Sequence, residues 1–154
     1  MKIAIVYVSY TGNTKEVAFA IERALKATHH EVSLFALETN PHDPKVANLT
    51  LKAIPSLQKF DGVVLGSPVH GFGLSIAMNA FLKETSLFQG KKVYPFVTQF
   101  FPFAWMGGSA SLKAFKKLIQ VKDGIPLSGY IINWSRCHRN KAIQNLVESC
   151  VATF

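Results

Sequence analysis

The chain has 154 residues, 49% of them hydrophobic and 17% charged, with a mean hydropathy of +0.19. That composition fills a core, which excludes wholesale disorder, and the length suits a single domain spanning 1–154. No apolar run approaches the roughly 18 residues of a membrane span, and the net charge of +8 is uneven: seven basic against six acidic residues in 1–77, ten against three in 78–154.

Lys2 to Val8 reads as a first strand, apolar on both faces and therefore suited to a buried parallel sheet. Because it runs straight into Thr-Gly-Asn, it is not read as a cleavable signal. Ser9 to Thr14 is a loop, and Val17, Ala18, Ile21, Ala24 and Leu25 recur at helical spacing through about Thr28. Glu31 to Leu37 is a second strand. A loop follows at Asn40 to Pro44, then a short helix over Ala47 to Leu57 that Pro55 limits. Asp61 to Gly66 is a third strand, Ser67 to Gly73 a loop, and Leu74 to Glu84 a helix. Lys92 to Thr98 is a fourth strand, and Gln99 to Gly108 an aromatic loop ending in glycines. A helix follows with Leu112, Phe115, Leu118 and Ile119 on one face. Ile125 to Trp134 is a fifth strand. The last helix, from about Asn140, carries Ile143, Leu146, Val147, Cys150, Val151 and Phe154 on one stripe.

Strand–helix alternation with buried strands implies an α/β fold, a parallel sheet covered by helices on both sides. Right-handed crossovers and five strands favour the order 2-1-3-4-5. Ligands in such sheets bind beyond the carboxyl ends of the strands, at the switch between strands one and three. That places the informative residues after Val8, after Gly66 and after Thr98, where the chain's least ordinary loops stand.

In Ser9-Tyr10-Thr11-Gly12-Asn13-Thr14, three hydroxyl residues and a glycine lie between a buried strand and a helix. Gly12 permits a tight turn, and free N–H groups at a helix N-terminus favour an anion. No acid sits in the hexapeptide, so it suits a phosphate held by neutral donors. The alternative is an ordinary threonine N-cap with a glutamate partner. G-x-x-x-x-G-K-[ST] and a G-x-G-x-x-G after the first strand are both missing. A nucleotide P-loop and a dinucleotide site are disfavoured accordingly. The first loop has no cysteine for a thiolate phosphatase, and strands one and three do not end in the acids of a receiver domain. His70 has no partner at metal-ligand spacing. Cys137 and Cys150 are too few for a disulfide scaffold and are read as unpaired thiols.

The hexapeptide resembles the [ST]-x-T-G-x-T phosphate loop of flavodoxins and related FMN proteins, and the alternation over 1–154 is similar to a short-chain flavodoxin-like three-layer α/β/α sandwich. The resemblance implies FMN as cofactor, with Ser9, Tyr10, Thr11, Gly12, Asn13 and Thr14 at its phosphate. It also places Ser67, Pro68, Val69, His70, Gly71 and Phe72 along the flavin ring. The peptide before Gly71 is then the one expected to turn toward the flavin on one-electron reduction. From the third loop the resemblance draws Thr98, Gln99, Phe100, Phe101, Gly107 and Gly108 to the pyrimidine edge. Many flavodoxins carry a tryptophan on the second loop, and a tyrosine and acids on the third; this chain has none of these.

FMN carries the reactivity while the protein binds it and tunes its potential, so no catalytic side chain is called for. The reading that follows is a one-electron carrier between redox partner proteins. A small NAD(P)H-dependent FMN oxidoreductase of the quinone-reductase type is the alternative. A non-flavin anion- or nucleic-acid-binding module built on the basic half is the third; no recognition motif supports nucleic acid. Typical flavodoxins are acidic. This basic chain is expected to meet partners with an acidic face, to have no membrane or nucleic-acid partner, and to be cytoplasmic.

Overall fold

The structure is a computed structural model and describes residues 1–86 and 88–154. In chain order the elements are β1 (Lys2–Tyr7), α1 (Asn13–Ala27), β2 (Glu31–Ala36), β3 (Thr39–Asn40), β4 (Thr50–Leu51), β5 (Gly62–His70), β6 (Gly73–Leu74), α2 (Ile76–Glu84), β7 (Lys92–Gln99), α3 (Gly108–Val121), β8 (Ile125–Pro126), β9 (Tyr130–Asn133) and α4 (Arg139–Val151). The main sheet runs β2-β1-β5-β7-β8, with β9 continuing beside β7. Its β1, β2, β5, β7, β8 and β9 pairings are all parallel, which is the expected 2-1-3-4-5 order.

Alternation along β1 divides the core. Ile3, Ile5 and Tyr7 face α1 and α4 with Val17, Ile21, Leu25, Leu146 and Cys150. Ala4, Val6 and Val8 face α2 and α3 with Met78, Phe81, Leu82, Phe115 and Ile119. Ile3, Ile5, Val63, Val64 and Leu65 are wholly buried, as central parallel strands covered on both faces must be.

Three elements depart from the sequence reading. The helix expected over Ala47–Leu57 does not form. The segment instead supplies β4, which pairs antiparallel with β3 outside it, and is otherwise irregular. Leu49 and Leu51 pack inward at strand spacing, and Leu37, Leu57 and Phe60 fill the face a helix would have covered. Pro44 and Pro55 confine any helix to the residues between them, where Leu49 and Leu51 are spaced for a strand face and not for a helix stripe. The second departure is the loop expected over Ser67–Gly73. It is the end of β5 folded back on β6, with Val69 paired to Leu74 and His70 to Gly73. Its two-residue turn has Gly71 at φ 56° and Phe72 at φ 60°, the positive pair that matches strand twist in a tight hairpin. The third is the fifth strand, which is split. Lys92 and Val93 pair with Ile125 and Pro126, but Phe96 pairs with Tyr130, so the edge carries one extra residue. Gly129 at φ 76° lies just before the pairing resumes, and a Cβ there would stand 2.7 Å from the Pro95 carbonyl oxygen.

Candidate functional site

The carboxyl ends of β1, β5 and β7 converge on a cleft of about 230 Å³. Its walls are Tyr10, Thr11, Asn13 and Thr14 from the first loop and the start of α1, Pro68, Val69 and His70 from the end of β5, Thr98 and Gln99 from β7, and Phe100 just after it. A smaller cleft of about 110 Å³ shares Val69, Gln99 and Phe100 and adds Gly71, Phe72, Phe101 and Met106. No acidic side chain lines either.

The chain enters α1 through Gly12, which is left-handed at φ 95° and leaves the helix without a side-chain cap of its own. Ser9 supplies that function from behind. Its Oγ accepts from the Gly12 amide at 3.2 Å and the Lys15 amide at 3.3 Å. The amides of Thr11, Asn13 and Thr14 find no acceptor among the described residues. Unpaired N–H groups around the first turn of a 15-residue helix are an anion cradle, since the donors and the helix dipole point the same way. The Thr14 hydroxyl is spent elsewhere: it is buried and bonds Thr98 Oγ1 at 2.8 Å, which ties α1 to β7 beneath the cleft. Thr11 and Tyr10 are the hydroxyl residues left to the ligand.

Three polar atoms of residues in this wall are buried without a partner, Tyr10 Oη, His70 Nδ1 and Gln99 Oε1. Buried polar groups are ordinarily hydrogen-bonded, so such a group around one cleft points to a polar ligand. Burial is the main cause that raises the Tyr10 phenol above its usual range, partly offset by the neighbouring Thr39 side chain, which stands close without making a well-aligned bond. Burial also lowers the His70 imidazole below its ordinary value, which keeps it neutral at pH 7. Tyr10 lies between two histidines, its ring 5.4 Å from His70 and 4.6 Å from His42. His42 carries no motif in sequence. What brings it here is the β3–β4 hairpin beside the first loop, a placement that a helix over Ala47–Leu57 would hide.

Ser9, Gly12, Ser67, Gly107 and Gly108 line neither cleft. Ser67 is fully buried and bonds Ser75 Oγ at 2.9 Å, and Ser75 in turn caps α2 by accepting from the Met78 amide. Gly107, left-handed at φ 116°, lets two pieces of protein meet. A Cβ there would stand 2.5 Å from Val69 Cγ1 and 2.8 Å from Phe72 Cα. At Gly108 the obstacle is Gln99 Oε1, at 2.6 Å. Gln99 organises the third loop. The two N–H groups of its Nε2 are shared among three acceptors within reach, the carbonyl oxygens of Phe101 (2.9 Å) and Phe103 (2.7 Å) and Asn133 Oδ1 (2.6 Å). Phe72 and Phe101 stack across the smaller cleft with centroids 6.0 Å apart and planes at 11°. Met106 joins that wall unforeseen.

Comparison with known proteins agrees with this geometry. A family model described as NADPH-dependent FMN reductase matches residues 1–133. The chain belongs to that family. Its members' model covers all three cleft loops, from the first strand through β9. No curated protein sequence matches the chain. Among solved structures it is similar to flavodoxin 2 from Bacillus cereus, at 24% identity over 100% of both chains with a TM-score of 0.73. It is similar to a flavodoxin from Streptococcus pneumonia TIGR4, at 15% identity over 100% of both chains and TM-score 0.70. A flavodoxin, WrbA-like protein from Agrobacterium tumefaciens matches at 15% identity over 97% of this chain and 96% of that one, TM-score 0.70. At these identities the likeness is one of fold, a flavodoxin-like α/β architecture. Among the described residues no helix is long and apolar enough to cross a membrane, and no three His, Cys, Asp or Glu are placed to hold a metal.

Proposed function

We propose that the protein binds FMN in the cleft and passes electrons singly between protein partners. The observation that carries the first half is the cradle of free amides at Thr11, Asn13 and Thr14, joined to a cleft wall with three unpartnered polar atoms. A dianionic phosphate fits the cradle because it meets N–H donors, a helix N-terminus and no carboxylate. Tyr10 Oη and His70 Nδ1 supply hydrogen bonds to the polar parts of the ligand. Val69, Pro68 and Phe100 give its flat part apolar walls, and Phe72 and Phe101 close the far end. FMN, when bound, supplies one- and two-electron redox chemistry. The neutral imidazole of His70 holds its proton on one ring nitrogen and offers the other as acceptor, so it adds no charge to the site.

The carrier reading rests on the openness of the third loop. Phe100 is 73% exposed at the cleft wall, so a docked protein reaches the rim directly. Its partners are acidic, given the basic residues of 78–154. The exposed free thiol of Cys137 agrees with a reducing, cytoplasmic setting. A second reading, an NADPH-dependent reductase, is favoured by the family match over 1–133.

The test is anaerobic mixing of the FMN-loaded protein with excess NADPH. A carrier keeps its flavin oxidised over many minutes and is reduced only through a partner or a chemical reductant. Bleaching within seconds, with turnover on added quinone, would replace the carrier reading by the reductase one.

A further inference from the structure

Phe103 and Trp105 line neither cleft, so a ligand bound there leaves them uncovered. Trp105 is 76% and Phe103 48% exposed. Their rings nonetheless form an ordered stack, 6.1 Å between centroids and 7° between planes. The Arg136 guanidinium lies over Phe103 at 5.4 Å, and Arg136 Nε donates to the Pro102 carbonyl at 3.0 Å. The backbone beneath is tied by Met106 N to Phe103 O and by Ser109 N to Ala104 O, at 3.0 and 2.8 Å, and by the Gln99 amide.

We propose that this Phe103–Trp105–Arg136 platform is the docking face for an acidic redox protein, a proposal that rests on the carrier reading. Tryptophan and arginine are the residues that dominate the energetics of protein interfaces, and a platform already ordered loses little entropy on binding. The sign of the partner comes from the charge around the platform. Arg136 is part of it, and exposed Lys113 and Lys116 continue from it along α3, which begins at the end of the same loop. The one acid in 85–147, Asp123, lies beyond the far end of α3, about 20 Å away along a 14-residue helix. A second copy would bring like charges together, so self-association is disfavoured. The loop runs from Phe100 at the cleft wall to Trp105, so a protein seated on the platform stands beside the cofactor cleft.

The test uses the full FMN-loaded chain with photoreactive p-benzoylphenylalanine at position 105, and at position 19 on α1 as control, expressed in native host cells. The expected result is a crosslink from 105, not from 19, to a protein identified as negatively charged and bearing a redox centre. With that protein purified, Arg136→Glu and Trp105→Ala should each weaken association at least tenfold. Raising salt from 50 to 300 mM should do the same, while FMN affinity stays unchanged. A crosslink confined to a second copy or to lipid, a basic partner, salt-insensitive association, or no crosslink from 105 would overturn the proposal. The carrier reading itself is judged separately, by the NADPH experiment on the same loaded protein.

Discussion

Replacing Gly107 by alanine tests how the cleft is built. The residue stands at φ 116°, outside the range L side chains adopt comfortably, which costs about 1–2 kcal/mol. The new Cβ would also meet Val69 Cγ1 at 2.5 Å and the Phe72 backbone at 2.8 and 3.0 Å, and forced overpacking costs about 1–3 kcal/mol more. Together the loss is about 3 kcal/mol, or roughly 6–12 °C in Tm for a chain of this size. Gly12→Ala is the comparator. Its φ is 95° but nothing lies within 4 Å of the new Cβ, so only the backbone term of about 1–2 kcal/mol applies. Val69 and Phe72 line the clefts, so relief by displacing the hairpin should also weaken FMN binding by Gly107→Ala at least tenfold. Urea unfolding of the FMN-free proteins and fluorescence titration with FMN read the two effects. If Gly107→Ala unfolds at the midpoint of Gly12→Ala and binds FMN like the parent, the packing of the third loop on the hairpin is misassigned.

Thr14→Val leaves the Thr98 hydroxyl buried and unpaired, which should cost about 1–3 kcal/mol, and Thr98→Val the same in reverse. The double variant should recover part of that loss, and strict additivity in a urea double-mutant cycle would show that the 2.8 Å bond has no energetic role. His70 has a folded pKa below its ordinary 6.5, so between those two values the unfolded chain binds the proton and the folded chain does not. Stability should therefore fall as pH drops from 7.5 to 5.5, and the fall should be smaller in His70→Gln; equal slopes for both proteins would remove His70 from the account. The Cys150 thiol is buried and pushed up to about 12, while Cys137 is exposed. Ellman's reagent at pH 8 should titrate Cys137 alone in the folded protein and both thiols in guanidinium chloride, and two fast thiols under native conditions would contradict the burial of Cys150.

The sheet order was legible because β1, β5 and β7 are buried on both faces and read as unbroken apolar runs. The first loop stands out in the sequence because a glycine and small hydroxyl residues lie between a buried strand and a helix. Its inner wiring does not. Sequence shows hydroxyls at Ser9 and Thr14 but not that Ser9 caps the helix and Thr14 bonds Thr98. The hairpin at His70–Gly73 was hidden because Phe72 takes a positive φ, a conformation that marks turns when glycine or asparagine holds it. Sequence shows the glycines at 107 and 108 but not that they pack against protein. What they approach is Val69 and Phe72 of the β5–β6 hairpin and the Gln99 side chain at the end of β7. His42 reached the site through tertiary placement alone.

The central claim is that the free amides at the start of α1 hold the phosphate of FMN. Fluorescence titration of the purified protein with FMN, and in parallel with riboflavin, tests it most directly. The account predicts one FMN per chain and riboflavin binding at least a hundredfold weaker, a difference of about 2.7 kcal/mol carried by the phosphate. Equal affinities for the two flavins, or no binding of either, would contradict it.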